Sequence, residues 1–87
     1  MKKKRLFLDP YGFFVIGLDK GKRKIVVEHY IYSRKIKNKF SGNSAKKLCD
    51  TIIRRGLISR LDHAAYFGRE LMKAEIALKN SLRYKQH

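Results

Sequence analysis

The spacing of apolar residues changes at the segment Ser41-Gly42-Asn43, and this change constrains the fold more than any other sequence feature. Before it, apolar and polar residues alternate in segments rich in β-branched and aromatic side chains, which is typical of strands. After it, apolar residues recur every three or four positions, which is typical of helices. The 87 residues therefore predict one α+β domain over 1–87, with a small antiparallel meander of three to four strands at about 5–40, followed by two helices.

Turn-forming residues divide the first part of the chain into strands. The segment 9–12, Asp-Pro-Tyr-Gly, fits a type I turn between strands at about 5–8 and 13–18. The segment 19–22, Asp-Lys-Gly-Lys, predicts a hairpin loop before a third strand at 23–33. A last strand at 35–40 has a lysine at every second position, which is typical of an edge strand.

The third strand has two different faces, because neighbouring side chains of a strand point in opposite directions. One face is predicted to belong to the core and carries Ile25, Val27, His29 and Ile31. The other carries Val26, Glu28, Tyr30 and Tyr32. His29 is therefore predicted to be a hydrogen-bonded histidine in the core or at its rim.

Two predicted helices follow, at about 44–55 and 60–83. Asn43 or Ser44 is the N-cap of the first and Gly56 ends it, while Ser59 is the N-cap of the second, with Asp62 three residues later. Gly68 within the second helix predicts close packing against the sheet, the first helix or another subunit. The predicted apolar stripe of this helix consists of Leu61, Ala64, Ala65, Gly68, Leu71, Met72, Leu78 and Leu82.

The charge of the chain is strongly unbalanced. There are 22 Lys and Arg against 7 Asp and Glu, which gives a net charge of +15, and most of the excess lies in the first 60 residues. Since such a field attracts polyanions, one hypothesis is nucleic-acid binding by the basic meander. Phosphates would then contact Lys22, Arg23, Lys24, Arg34, Lys35, Lys37 and Lys39. Bases would contact Tyr11, Phe14, Tyr30, Tyr32 and Phe40.

Several kinds of site lack their sequence signals. A single cysteine, Cys49, cannot form an internal disulfide and is expected to be a buried apolar residue. The three histidines do not form an HExxH pattern, so we expect no metal centre. Neither a GxSxG motif nor a phosphate-binding glycine loop is present, so we expect no catalytic residue and no cofactor. With neither a signal-peptide pattern nor an apolar run of membrane length, the expected location is cytoplasmic.

Four motifs carry a resemblance to a known family: LDPYGFF at 8–14, VEHY at 27–30, SRLDHAAYFGRELMKAEIAL at 59–78 and YKQH at 84–87. The chain resembles an archaeal and bacterial family of small domains catalogued as a domain of unknown function. The family pattern reads LDPxGYF, VEHY, SRLDHAAYLGRELAKAEIAL and YxQD. This chain departs from it at Phe67, at Met72 and at the closing His87.

The resemblance implies an association with pterin or one-carbon metabolism. Members are free-standing or attached C-terminally to proteins that resemble dihydropteroate synthase or a subunit of tetrahydromethanopterin methyltransferase. The resemblance makes the polar motif residues the candidate site for a ligand or partner: Glu28, His29, Tyr30, Arg60, Asp62, His63, Tyr66, Arg69 and Glu70.

The residues themselves indicate two uses of the second helix. Its first turn, with Arg60, suits an anion, whereas Glu70 with Lys73 and Glu75 with Lys79 have the spacing of helix-surface ion pairs, which is the favoured interpretation for these four. The resemblance adds that Arg60 or Arg69 would meet the anionic tail of a pterin. We therefore expect an accessory ligand-binding or assembly module that forms a homodimer or docks to a larger protein partner. Nucleic-acid binding is the alternative.

Overall fold

The computed structural model describes residues 3–9, 12–31 and 38–85, and it confirms the α+β fold. Four strands, β1 Lys4–Asp9, β2 Gly12–Asp19, β3 Lys24–Ile31 and β4 Asn38–Gly42, form an antiparallel sheet in the order β1-β2-β3-β4. Two helices follow, α1 Ala45–Arg54 and α2 Leu61–Lys85. The predicted last strand, at 35–40, ends two residues later than expected, and residues 35–37 lie outside the described ranges.

The sheet has one face against the helices and one face away from them. In β3, Ile25, Val27 and His29 are buried beneath the helices, whereas Glu28 and Tyr30 lie on the other side, as the alternation predicted. Paired residues of neighbouring strands lie on the same face of a sheet. The pairing of the strands therefore shows which residues of β1, β2 and β4 lie on each of the two faces. The face away from the helices, which we call the open sheet face, carries Arg5, Phe7, Phe13, Val15, Glu28, Tyr30 and Lys39.

The loop between β2 and β3 is described, whereas Pro10 and Tyr11 of the predicted type I turn lie outside the described residues. In the loop between β2 and β3, the backbone N–H of Lys22 donates to the Asp19 carboxylate at 3.1 Å, which confirms the predicted hairpin. Arg23 in this loop has a φ of 56°, a left-handed conformation that few residues other than glycine adopt. At the start of β2, a Cβ on Gly12 would collide with the backbone carbonyl of Tyr30, so the close pairing of β2 and β3 requires glycine there.

Helix α1 has the predicted ends. The Ser44 hydroxyl accepts from the backbone N–H of Lys47 at 3.3 Å, so Ser44 is the N-cap. Gly56, with a φ of 72°, ends the helix, and its N–H donates to the carbonyl of Ile53 at 2.9 Å. A second acceptor comes from a distant part of the chain, because the N–H of Ala45 donates to the Glu75 carboxylate of α2 at 3.0 Å.

Helix α2 differs from its prediction at its first turn. The N–H of Ala64 donates to the carbonyl of Arg60 at 2.9 Å, so Arg60 occupies the N-cap position and the prediction of Ser59 was wrong. The Asp62 carboxylate accepts from the Arg60 guanidinium. An ion pair between side chains therefore stands where a serine cap was expected.

The apolar stripe of α2 is also rotated relative to the prediction. Phe67 is completely buried and packs on Phe14 of β2 with ring centroids 5.0 Å apart, although its polar neighbours had placed it outside the stripe. Leu61 and Met72, predicted in the stripe, are 89% and 47% exposed. The helix has apolar side chains on two sides, and the sheet covers the side of Phe67, Leu71, Ala74 and Leu78.

Gly68 packs against α1. The sequence had predicted that this glycine packs against the sheet, the first helix or another subunit. A Cβ at this position would lie 3.7 Å from the Cys49 Sγ, an ordinary van der Waals distance. Cys49 is partly buried at this contact, and burial raises the pKa of its thiol. The thiol is therefore protonated and part of the helix packing.

Candidate functional site

Three of the predicted site residues in or beside α2 take part in ion pairs: Arg60, Asp62 and Glu70. Glu70 is buried, and its carboxylate lies 2.9 Å from the Lys4 Nζ of β1 and 3.3 Å from the Lys73 Nζ. The hydrogen bond from Lys4 lowers the pKa of Glu70, with a smaller contribution from Lys73. The spacing of Glu70 and Lys73 had predicted the second pair; the first joins distant parts of the chain and had no sequence signal. Glu70 therefore connects β1 to α2.

At the first turn of α2, two of the predicted site residues, Arg60 and Asp62, pair with each other. The Arg60 guanidinium donates two hydrogen bonds to the Asp62 carboxylate, at 2.8 and 3.0 Å, and both side chains are exposed. Desolvation acts in the opposite direction, but this hydrogen-bonded pair lowers the pKa of Asp62. One turn further along, the guanidinium of Arg69 lies 6.0 Å from the ring centroid of Tyr66. Both arginines thus already contact side chains of their own helix.

The VEHY motif is divided between the two faces of the sheet. His29 is buried, with its ring stacked on Phe14 at a centroid distance of 4.4 Å. On the open sheet face, the Tyr30 hydroxyl donates to the Glu28 carboxylate at 3.0 Å. This hydrogen bond raises the pKa of Tyr30, and burial adds to the effect.

The nine predicted site residues therefore occupy three places. Glu28 and Tyr30 lie on the open sheet face, and His29 lies in the core. The six residues of α2 follow the first three turns of that helix, where His63 and Tyr66 are half-buried and Arg60, Asp62 and Arg69 are exposed. Within the described part of the chain, no three His, Cys, Asp or Glu side chains group closely enough to hold a metal ion.

A groove that the sequence analysis did not identify lies between the two helices. It has a volume of about 650 Å³, its floor contains Ala45, Cys49 and Gly68, and Met72 stands beside it. Charged side chains line its edges: Lys46, Asp50, Arg69 and Lys73. Arg69 is thus a predicted site residue that borders this groove.

Exposed apolar side chains extend this groove along both helices. Met72 and Ile76 of α2 are 47% and 53% exposed, and Ile53 of α1 is 41% exposed. Helical spacing places Ala65, Gly68, Met72 and Ile76 on one side of α2, and Cys49 and Ile53 on one side of α1. We call these six residues the α1–α2 face. The predicted apolar stripe of α2 included Ala65, Gly68 and Met72 but not Ile76.

The basic residues of the nucleic-acid hypothesis are exposed where they are described. Lys22, Arg23 and Lys24 lie in and beside the β2–β3 loop, and Lys39 lies on β4. Arg34, Lys35 and Lys37 lie outside the described residues, as do Tyr11 and Tyr32. Phe14 and Phe40 were wrong as base contacts, because both are buried beneath the helices. Tyr30 lies on the open sheet face, together with Phe7 and Phe13.

Within residues 3–9, 12–31 and 38–85, no helix has both the length and the apolar character needed to cross a membrane.

Comparison with known proteins shows relatives of two sizes. The chain is 43% identical over 82 residues to Uncharacterized protein MJ0107 of Methanocaldococcus jannaschii, covering 94% of this chain and 15% of that protein. It is 30% identical over 112 residues to the Ycf91-like protein of Nostoc sp., covering 99% of this chain and 88% of that protein. Uncharacterized protein ycf91 of Pyropia yezoensis is 34% identical over 87 residues, which cover 93% of this chain and 74% of that protein.

The same sequence unit is thus a small part of the archaeal relative and most of the other two. No solved structure matches the chain significantly. A family model described as PterinBD-DUF4346 matches residues 8–87. The chain therefore belongs to the PterinBD-DUF4346 family.

Proposed function

We propose that this domain is an assembly module that docks through its α1–α2 face to a protein carrying a pterin-binding domain. The observation that carries the proposal is the exposure of Met72 in the groove between the helices, and of Ile53 and Ile76 one helical turn beyond the groove residues Cys49 and Met72. Contiguous apolar surface of this kind, with charged residues at its edges, is typical of protein interaction sites.

The shape of the groove favours a side chain of a protein partner. Its floor is made of small side chains, because Ala45 and Gly68 leave space beside Cys49. An aromatic or aliphatic anchor from a partner would fill that space and exclude water from Met72. Methionine suits such a contact because its flexible side chain adapts to the shape of the partner.

The charge around the groove indicates the sign of the partner surface. Lys46, Arg69 and Lys73 border it, and Asp50 is the acidic residue among the lining side chains. A second copy of the chain would bring the same cations together and would add to the repulsion between two net charges of +15. A different protein with acidic residues around an apolar anchor fits better.

The family name and the size of the archaeal relative support the identity of the partner. The name PterinBD-DUF4346 couples a pterin-binding domain with this unit, and in MJ0107 the matched unit is 15% of a longer chain. In MJ0107 the unit is covalently attached to the rest of a longer chain. A separate chain that consists of this unit would instead bind its partner protein non-covalently. Direct binding of an anionic metabolite has less support, because Asp62 already occupies the Arg60 guanidinium.

Chemical cross-linking in an extract of the source organism tests this proposal. An amine-reactive cross-linker is added with the purified chain, and the linked peptides are identified by mass spectrometry. We expect links from Lys46 and Lys73 to one protein that carries a pterin-binding domain, and loss of these links in Met72→Glu. Lys22→Glu is the matched control, since it also introduces a glutamate, in the β2–β3 loop away from the α1–α2 face, and should leave the links unchanged.

Three outcomes would contradict the proposal. Links from Lys46 only to other copies of the chain would assign this face to a homodimer. Links to proteins without a pterin-binding domain would show that the proposed partner is wrong. Links that persist in Met72→Glu would show that the α1–α2 face is not the docking surface.

A further inference from the structure

The open sheet face presents a row of three aromatic rings from three neighbouring strands. Phe7 of β1, Phe13 of β2 and Tyr30 of β3 follow one another, with centroid distances of 5.5 Å and 5.1 Å. Phe13 and Tyr30 are directly paired in the register, and their ring planes differ by 13°. Phe7, at the end of the row, is 65% exposed. The row therefore ends in a ring that can accept another flat group.

The helices lie on the other side of the sheet, so packing in the hydrophobic core does not explain why these three aromatic residues are present. Phe14 and His29, the neighbours of Phe13 and Tyr30 along their strands, are the residues that pack beneath α2. An exposed phenylalanine on an edge strand adds to the risk of self-association, and such residues are normally replaced by charged ones. The exposure of Phe7 leaves its ring accessible to a flat apolar group.

Positive charge accompanies the aromatic row. The Arg5 guanidinium lies 5.6 Å from the centroid of the Phe13 ring, where it both stacks on the ring and retains hydrogen-bond donors for an anion. A groove of about 470 Å³ on the same face is bordered by Lys3, Lys20 and Lys39. Both acidic residues of this groove have partners, since Glu28 accepts from Tyr30 and Asp19 accepts from the N–H of Lys22.

Flat rings beside cations match one class of ligand. Single-stranded nucleic acid presents unpaired bases that stack on aromatic side chains and phosphates that pair with Lys and Arg. Other four-stranded sheets bind single-stranded RNA through exposed aromatic residues in this way. A duplex would present its phosphates but would leave Phe7 unused, because its bases are already stacked on each other.

We propose that the open sheet face binds single-stranded nucleic acid, with a base stacked on Phe7 and the neighbouring phosphates held by Arg5, Lys3 and Lys39. This surface lies opposite the helices and is distinct from the α1–α2 face, so the two proposals succeed or fail separately. The proposal locates nucleic-acid contacts on Phe7 and Phe13, which the sequence analysis had not selected.

Fluorescence anisotropy tests the proposal, with labelled oligothymidylate and oligouridylate of about twelve nucleotides, a length within the range that one small domain covers. The titrations are run at about 0.2 M salt, where binding by charge alone is weak. We expect one or both single strands to bind, and a duplex of the same length to bind more weakly. The ratio of the two single-strand affinities separates DNA from RNA as the ligand.

The variant Phe7→Ala should weaken single-strand binding by about 5- to 150-fold, the range typical of removing a stacked aromatic residue. Its melting temperature should stay close to that of the parent because the ring is exposed. Leu61→Ala is the matched control, since it removes another exposed apolar side chain, on the helix that packs on the other side of the sheet, and should not change binding.

Three results would overturn the proposal. Binding that disappears at about 0.2 M salt would show attraction by net charge alone. Unchanged affinity in Phe7→Ala would show that the aromatic row is not the binding surface. A dimer that dissociates in Phe7→Ala, measured by analytical ultracentrifugation, would assign the row to contact between two copies of the chain.

Discussion

The Nζ of Lys4 lies 2.9 Å from the carboxylate of Glu70, and this pair joins an edge strand to the buried side of the long helix. Lys4 is half-exposed, whereas the Glu70 side chain is almost completely buried. A buried carboxylate needs hydrogen-bond donors, and here they come from one residue of β1 and one of the helix itself. The motif position occupied by Glu70 therefore has a structural use that requires no ligand.

Replacing Glu70 by glutamine should destabilise the fold moderately. The amide keeps the size of the side chain but loses the charge that strengthens its hydrogen bonds to Lys4 and Lys73, so we expect a loss of about 1 kcal/mol after allowance for solvent around the lysines. Urea unfolding measures the difference. Asp62→Asn removes an exposed carboxylate of the same helix, whose ion pair with Arg60 is screened by solvent, so it should lower the free energy of unfolding by less than Glu70→Gln does. Equal effects of the two substitutions would contradict the structural role of Glu70.

The contribution of Glu70 should depend on pH in a defined direction. Its pKa is lower in the folded protein than the ordinary value of 4.5, so the unfolded chain binds the extra proton first as the pH falls. The stabilisation by Glu70 is therefore complete above pH 4.5. It decreases below that pH until Glu70 is protonated in the folded protein as well. Urea titrations of the parent and Glu70→Gln at several pH values should give stability curves that converge below pH 4.5. A gap that widens towards acid would contradict this assignment.

Two substitutions at Gly68 should have opposite effects. A Cβ there would lie at an ordinary distance from the Cys49 Sγ, so Gly68→Ala should fit and raise stability by about 0.5–1 kcal/mol through the better helix propensity of alanine. Gly68→Leu would push against α1 and should cost about 1–3 kcal/mol. Thermal unfolding followed by circular dichroism distinguishes them. A leucine variant as stable as the alanine variant would show that the two helices are not closely packed.

The sequence predicted the sheet well because the information it needs is local. Alternation within β3 correctly separated Ile25 and Val27 from Glu28 and Tyr30, and the loop at 19–22 was identified from its turn residues. The same alternation places His29 opposite its two neighbours. The pleat of the strand therefore already disfavoured a single site that contains Glu28, His29 and Tyr30.

The helix surfaces were harder to predict because α2 is apolar on two sides. Spacing alone does not show which side the sheet covers, so Phe67 was missed as a core residue and Met72 was placed in the core. The contact of Lys4 with Glu70 joins residues far apart in the chain, and no pattern of neighbours contains it. The surfaces proposed to bind partners depend on this three-dimensional arrangement.

The hydrogen bond from the N–H of Ala45 to Glu75 has a consequence for the order in which the chain folds. Helix α1 has ten residues and no acidic side chain in its first turn, and a helix of that length is marginal by itself in water. Its N-terminal donor is satisfied by a carboxylate that is 30 residues later in the chain. On a ribosome, α1 therefore emerges well before the side chain that stabilises it, and the two helices become a cooperative unit only once the fifth turn of α2 has been synthesised and has docked.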